Sequence, residues 1–184
     1  MRYFVLVMET VTLAQVPVLG DIPSVTVATV LLTMQDGLTE HRTCSVDVDA
    51  RLTETHLPDA FIEALPLLEY PLGYSEEFSL ELPRVEVGAS DSDGDGHDGV
   101  TVFLELPVLG RVEMHVHQVS RVALDGHQVA PGVWEGTTTL TEFEQNVLWA
   151  DHALLRDPPP VLPSTGRFRI VEQPGPLSCE DVTR

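Results

Sequence analysis

The sequence predicts a mainly β protein, an antiparallel barrel or sandwich of about eight strands with one or two short helices. Three observations predict this class. The 184 residues include 25 valines, and β-branched side chains fit the pleated surface of a sheet. Apolar and polar residues alternate over several segments, as they do in a sheet with one dry face. An Asp36-Gly37 pair stands between two such segments, which is typical of a two-residue hairpin turn.

The first strand is expected from about Tyr3 to Leu13, and the Asp36-Gly37 turn then joins two further strands. A two-residue turn there would place Thr29 opposite Cys44, and the same register would continue along both strands. The other pairs in this register are Val27 with Val46 and Val25 with Val48. All six side chains would lie on one dry face of the sheet.

Two segments are candidate helices. Residues 58–65 begin with Pro58, which suits the start of a helix. Thr141 would open a capping box for a helix through Leu155, although the same residues could instead finish a long strand that starts at Gly136. Further strands are expected within residues 78–87 and 167–171, with an extended connector at residues 157–160.

The tetrapeptide Pro-Val-Leu-Gly occurs twice, at residues 17–20 and 107–110. Each copy lies between two extended stretches, and the second stretch ends at an Asp-Gly pair, Asp36-Gly37 or Asp125-Gly126. The order strand, corner, strand, turn, strand is therefore expected twice. The predicted organisation is a single domain of residues 1–184 with pseudo-repeats at about 3–88 and 99–174, an acidic loop at 89–99 and a C-terminal tail at 173–184.

The composition excludes several classes of function. Asp and Glu number 29 and Lys and Arg together 10, all of them Arg, which gives a net charge of −19. Without lysine the chain cannot form a Schiff base, hold pyridoxal phosphate in the usual way or build a lysine-containing phosphate loop. So acidic a surface repels nucleic acid and anionic lipid. No apolar run approaches the ~20 residues of a membrane-spanning helix, so no transmembrane segment is expected.

The sharpest signal for chemistry lies between Ser90 and Gly99, where aspartates alternate ahead of a glycine. Ca²⁺ takes about six to eight oxygen ligands, and a glycine at the sixth position lets the chain turn sharply around the ion. The proposed Ca²⁺ ligands are the side chains of Asp91, Asp93, Asp95 and Asp98 and the carbonyl oxygen of His97. The closing glutamate of an EF-hand would fall on Val102, which cannot ligate, so an EF-hand is not expected. The alternative is a solvated acidic turn without an ion.

The two Pro-Val-Leu-Gly copies, with the segment DSDGDGHDGVTV between them, resemble a group of uncharacterised exported bacterial β-rich proteins. The loop itself resembles the Asp-x-Asp-x-Asp-Gly loops of FG-GAP, thrombospondin type 3 and EF-hand proteins. The resemblance implies a setting outside the cytoplasm, where Ca²⁺ is abundant. It implies no known activity.

Glu113, His115 and His117 alternate along a predicted strand, so their side chains would share one face. This spacing occurs in metal sites of β-barrels. We favour the simpler interpretation, a polar strand face turned to solvent. Acid–base chemistry by either histidine stays open as an alternative.

Cys44 and Cys179 form one possible pair, a disulfide in an oxidising compartment or two thiols in a cytoplasm. The apolar run Phe4–Met8 is too short for the core of a signal peptide. The protein is therefore expected outside the cytoplasm (periplasmic, attached to an outer membrane or secreted) if a leader precedes Met1, and in the cytoplasm otherwise.

The leading hypothesis from the sequence is a Ca²⁺-stabilised extracytoplasmic barrel or sandwich that binds a protein partner or an apolar small molecule without catalysis. The alternative is a small β-barrel isomerase or cyclase that acts on a hydrophobic substrate. A wide apolar interior with one or two buried polar groups, for which His117 and Glu105 are the candidates, would favour a carrier or an enzyme. A filled core would favour a structural role.

Overall fold

Eleven β-strands and two short helices occupy the part of the chain that the computed structural model describes, which is residues 1–16, 20–50, 53–71, 75–106, 110–157 and 160–183. The strands are β1 (Arg2–Val16), β2 (Gly20–Gln35), β3 (Leu38–Ala50), β4 (Thr53–His56), β5 (Leu68–Pro71), β6 (Glu77–Glu81), β7 (Val85–Val87), β8 (Val100–Leu106), β9 (Gly110–Ala130), β10 (Val133–Ala150) and β11 (Val161–Gln173). The helices are α1 (Asp59–Ala64) and α2 (Cys179–Val182), and a 3₁₀ turn spans Ala153–Leu155.

Eight of these strands close into a ring. The order of hydrogen-bonded neighbours is β10, β11, β1, β2, β3, β4, β8 and β9, and β9 pairs again with β10. All of these pairings are antiparallel. A closed ring satisfies the backbone hydrogen bonds on both edges of every strand in it, which is the defining property of a β-barrel. The predicted mainly β, antiparallel architecture is confirmed.

The three remaining strands extend the sheet beside β3 and β9. The short strand β4 pairs with β3 only at residues 48–50, and β8 pairs with β9 only at residues 110–116. Nearer the other end of the barrel, β5 pairs with β3, while β6 and β7 pair with β9. Part of the segment between β4 and β8 therefore belongs to the same sheet as the ring.

The Asp36-Gly37 turn is confirmed, and both residues have the positive φ that this turn needs, 52° and 81°. The predicted register holds only as far as Val30, which faces Thr43. A β-bulge then shifts the pairing by one residue, so that Thr29 faces Ser45 instead of Cys44. The corrected pairs beyond the bulge are Ala28 with Val46, Val27 with Asp47, Thr26 with Val48 and Val25 with Asp49.

The bulge also corrects the predicted dry face. Val46 and Val48 point into the barrel beside Ala28 and Thr26, which all line its interior. Since side chains alternate along a strand, Val25 and Val27 lie on the outer face instead of the inner one.

The predicted order of strand, corner, strand, turn and strand is present in the second half as β8, β9 and β10, but its turn is not at Asp125-Gly126. Those residues lie inside β9, and the turn falls at Pro131-Gly132. Gly126 pairs with Gly136 of β10, and a Cβ on either glycine would collide with a backbone carbonyl of the other strand. Gly126 is therefore needed because β9 and β10 approach each other closely at this point. The corner residues 17–19 and 107–109 lie outside the described residues, and the duplication stays a prediction.

The predicted helix at residues 58–65 is confirmed as α1, with Pro58 as its N-cap residue. The predicted helix from Thr141 to Leu155 is wrong. That segment continues β10 as far as Ala150, which pairs with Met114, and only the 3₁₀ turn follows. The alternative of a long strand therefore holds, because pairing with β9 satisfies its backbone out to Ala150. Among the described residues, no helix is long and apolar enough to cross a membrane.

The C-terminal tail is attached to the barrel by a disulfide. Cys179, the first residue of α2, is bonded to Cys44 on β3. Cys44 is the extra residue of the bulge, because its neighbours Thr43 and Ser45 pair with two consecutive residues of β2. No residue of α2 is buried, so the disulfide is the main attachment of this helix.

The core is divided between two clusters. The larger fills the end of the barrel near the 36–37 and 131–132 turns; its fully buried members include Phe4, Leu6, Val30, Leu32, Leu124 and Ile170. The second cluster joins α1 to β8 and β9; it contains Phe61, Val87, Val100, Val102, Met114, Val116 and Ala150. The barrel is thus packed at one end, and the other end has space for a cavity.

Candidate functional site

The acidic loop brings three of its aspartates together. One carboxylate oxygen each from Asp91, Asp93 and Asp95 lies within 4.8 Å of the other two. In the described part of the chain this is the one group of three or more Asp, Glu, His or Cys side chains close enough to share a metal ion. Oxygen-only donors of this kind suit a hard cation.

Two glycines hold the ends of this loop against β9. Gly88 and Gly99 have φ of 76° and 114°, where other residues are strained. A Cβ on Gly88 would collide with the carbonyl oxygen of Val116, and one on Gly99 would press on His115. The Gly99 N–H donates to the Ser90 carbonyl at 3.2 Å. The loop therefore leaves and rejoins the barrel at nearly the same place.

Backbone N–H groups fix the three carboxylates. Asp91 accepts hydrogen bonds from the N–H groups of Gly94, Asp95 and Gly96 at 2.8–3.1 Å. Asp93 Oδ2 accepts from the Thr101 N–H at 2.7 Å. Such bonds use only part of the acceptor capacity of a carboxylate, so its oxygens can still ligate a cation.

Asp95 and Asp93 differ in how they are satisfied. Asp95 accepts hydrogen bonds from the His97 N–H and the Thr101 hydroxyl, both at 2.8 Å. These two bonds lower the pKa of Asp95, and the bond from His97 has the larger effect. Asp93 Oδ1 is buried and has no hydrogen-bond partner among the described residues. A buried carboxylate oxygen without a partner is costly. A bound cation would satisfy it, and the donor set therefore fits a metal ion.

The structure leaves one of the other two predicted ligands as a candidate and places the other outside the three-carboxylate group. The His97 ring packs on the His115 ring with centroids 4.9 Å apart, so it is the backbone carbonyl of His97, as predicted, that stays a candidate ligand. Asp98 is exposed and its carboxylate is not part of the three-carboxylate group.

On the outer face of β9 next to the loop, His115 is buried, contrary to the solvent-facing interpretation, whereas Glu113 and His117 are partly exposed. His115 is 4% exposed and lies between the His97 ring and the Trp149 ring. Its Nε2 is 2.9 Å from Glu113 Oε1 and 4.0 Å from Asp95 Oδ2. His117 instead bonds Glu86 of β7 at 2.9 Å. His115 therefore pairs with Glu113, and His117 pairs with Glu86, so the three predicted residues do not form one metal site.

A cavity of about 540 Å³ occupies the less densely packed part of the barrel. All eight strands of the ring contribute to its lining, together with α1. Hydroxyl side chains line the wall formed by β1, β2, β3 and β4; they are Thr10, Thr12, Ser24, Thr26, Thr43 and Thr55. Apolar side chains line the wall across the ring; they include Phe61, Val87, Val102, Leu104, Met114 and Val116. This volume and composition are those of a small-molecule site.

Charge is nearly absent from the cavity. Arg121 is the one Arg, Asp or Glu side chain in its lining, counted over the described residues. Its guanidinium is 3.5 Å from Glu81 and 3.6 Å from Glu142, which balance its charge, while its Nε is buried without a hydrogen-bond partner among the described residues.

A buried histidine and a buried tyrosine adjoin this cavity, and neither was predicted from the sequence. His41 lines the cavity and is 2% exposed, and its Nδ1 lies 3.1 Å from the hydroxyl of Tyr70, which is 6% exposed. Burial lowers the pKa of His41 to about 4 and raises the pKa of Tyr70 above its usual range. Both side chains are therefore uncharged at neutral pH.

Neither predicted interior polar group lies in the cavity. His117 is on the outer face with Glu86, and Glu105 is half-buried outside the lining. A signal for His41 exists in the sequence: the charged residues Glu40 and Arg42 flank it, so alternation assigns His41 to the inner face.

Comparison with protein-family models, with curated proteins and with solved structures finds no match for this chain.

Proposed function

We propose that this protein is a Ca²⁺-stabilised, extracytoplasmic β-barrel that binds an apolar small molecule in its interior without converting it. The observation that carries the proposal is the 540 Å³ cavity inside a closed ring of strands. A filled core would have favoured a structural role. A small barrel with unfilled interior volume is the arrangement in which a ligand is held.

The acidic loop supports the Ca²⁺ part of this proposal. Three carboxylates within 4.8 Å repel one another unless a cation neutralises them. Ca²⁺ accepts irregular oxygen cages at ~2.3–2.6 Å, whereas Mg²⁺ demands near-octahedral geometry and keeps its waters. Since the loop joins β7 to β8 and packs on His115, a bound ion would stabilise this side of the barrel.

The disulfide supports the proposed compartment. Cys44 and Cys179 are bonded to each other, and such bonds persist mainly outside the reducing cytoplasm.

Binding in the cavity is tested with N-phenyl-1-naphthylamine, an uncharged apolar probe whose fluorescence rises in dry surroundings. We expect saturable binding of one probe per chain. Val48→Phe, which fills the cavity, should weaken this binding at least about ten-fold. Asp47→Phe adds the same ring on the outer face of the same strand and should leave it unchanged. Absence of binding, or equal loss in the two variants, would contradict the proposal.

The Ca²⁺ part is tested by thermal unfolding with Ca²⁺, with Mg²⁺ and with a chelator. At a free Ca²⁺ concentration about 100 times its Kd, we expect the Tm to rise by about 5–10 °C over the chelated protein. Mg²⁺ should give a smaller rise. An identical Tm in all three conditions would show that the loop is a solvated turn.

A second candidate function is the isomerase or cyclase, and the His41–Tyr70 pair beside the cavity is what favours it. Against it, an imidazole with a pKa of about 4 is a weak base at neutral pH. Chromatography of ligand recovered after incubation distinguishes the two functions: unchanged ligand supports binding, and isomerised ligand supports the enzyme.

A further inference from the structure

The hydrogen bond between His41 and Tyr70 fixes which nitrogen of the imidazole carries the proton. The Tyr70 hydroxyl is buried, and a buried O–H requires an acceptor. Among the described residues, His41 Nδ1 is the acceptor within reach of that hydroxyl, at 3.1 Å. A neutral imidazole has one donor and one acceptor nitrogen, so Nε2 carries the proton and is a donor.

This donor belongs to a side chain that lines the cavity. His41 Nε2 has no hydrogen-bond partner within the described ranges. An N–H donor on a cavity wall that lacks a protein partner favours a ligand with an acceptor oxygen, because pairing removes the cost of an unmade bond.

The rest of the lining determines the charge of the ligand. A carboxylate in the cavity would meet a cation whose charge is already balanced, since Arg121 lies 3.5 Å from Glu81 and 3.6 Å from Glu142, and its buried Nε is without a hydrogen-bond partner among the described residues. Burying an unpaired charge costs far more than burying a neutral carbonyl. The apolar wall around Leu104 and Met114 suits a hydrocarbon body.

We infer that the cavity binds an uncharged apolar carbonyl compound, such as a long-chain ketone or ester, whose carbonyl oxygen accepts a hydrogen bond from His41 Nε2–H while Tyr70 orients the ring. This inference rests on the proposed function, since it names the ligand class of the same cavity.

Competition against bound N-phenyl-1-naphthylamine tests the inference. In the wild-type protein 2-undecanone should displace the probe at least about ten-fold more effectively than decanoate, which has a similar chain but a charged head. His41→Phe keeps a ring of similar shape and removes the donor. In this variant we expect the affinity for 2-undecanone to fall about ten-fold relative to the affinity for the probe, because only the ketone would accept a hydrogen bond from the lost donor. His127→Phe, at an exposed position of β9, is the matched control and should change neither.

The outcomes separate this inference from the proposed function. If the wild type binds no probe, the cavity site itself is refuted. If the probe binds but decanoate competes as well as the ketone, or His41→Phe leaves ketone binding intact, only the carbonyl inference is overturned. Should His41→Phe not fold, ¹⁵N NMR of the wild type gives the answer, because a proton on Nδ1 instead of Nε2 would overturn the inference.

Discussion

His41 is the residue whose ionisation we expect to control the acid stability of the barrel. Burial lowers its pKa from 6.5 to about 4, so below pH 6.5 the unfolded chain binds a proton that the folded protein does not. The stabilisation is therefore fully present above pH 6.5 and is lost as the pH falls toward 4. Glu86, Asp95, Glu172 and Asp181 also have lowered pKa values, but the stability they contribute is lost only as the pH falls below the ordinary values of 4.5 for Glu and 3.8 for Asp, which lie below pH 5.

Chemical unfolding at two pH values measures this effect. We expect the free energy of unfolding of the wild type to fall by about 2 kcal/mol between pH 7 and pH 5. His41→Phe should remove most of that fall, and His127→Phe should preserve it. A pH dependence that is the same in His41→Phe and the wild type would assign the effect to other groups.

The position of His41 was predictable, but its partner was not. Alternation with Glu40 and Arg42 assigns His41 to the inner face from the sequence alone. Tyr70 comes from β5, which pairs with β3 across a sequence separation of 29 residues between the two side chains. No local pattern encodes such a pairing.

At the scale of elements, the acidic loop was the most predictable feature, since the alternation of Asp91, Asp93 and Asp95 is local. Its packing on His115 was not, because that contact depends on how Gly88 and Gly99 approach β9. For the same reason His115 was wrongly expected to face solvent.

Asp93→Asn tests whether the loop binds Ca²⁺, because the expected effect of this substitution on the Tm differs without and with the ion. The new amide places a donor among the neighbouring carboxylates, so without Ca²⁺ we expect the variant to melt no lower than the wild type. With Ca²⁺ the rise in Tm should be lost, because one of three charged ligands is gone. Asp47→Asn, on the outer face of β3, is the control and should keep the full response. A normal Ca²⁺ response in Asp93→Asn would show that this carboxylate is not a ligand.

The disulfide joins two residues that are 135 positions apart in a chain of 184. A cross-link of this span restricts the unfolded chain strongly, so we expect Cys179→Ser to lower the free energy of unfolding by about 4 kcal/mol. Urea unfolding measures this free energy. Added reductant should lower the free energy of unfolding of the wild type and leave that of Cys179→Ser unchanged. If the oxidised wild type and the variant unfold at the same urea concentration, the disulfide does not stabilise the protein.

Two elements show where local patterns stop. The first hairpin was predictable from Asp36-Gly37 until the bulge beside Cys44, which a two-residue turn does not specify. In the second half an identical Asp-Gly pair lies inside β9, because Gly126 is needed opposite Gly136. The same two letters thus serve a turn in one place and a close strand contact in the other.

At the scale of the whole molecule, strand content and antiparallel pairing follow from composition and turns, whereas closure of the ring does not. Closure needs β1 to pair with β11 and β4 to pair with β8, contacts that join distant parts of the chain, whereas β9 pairs with its sequence neighbours β8 and β10. The cavity depends on closure and on the volume of every inward side chain. Its small residues, such as Ala28 and Ser24, leave the space that larger ones would fill.

The central claim is that the inside of this barrel is the binding site, and nuclear Overhauser effects between a bound apolar probe and labelled methyl groups test it most directly. We expect nuclear Overhauser effects between N-phenyl-1-naphthylamine and the methyl groups of Leu104, Met114 and Val116, which line the cavity. Contacts instead to Val7 and Val129, which are exposed on the outside, would contradict it.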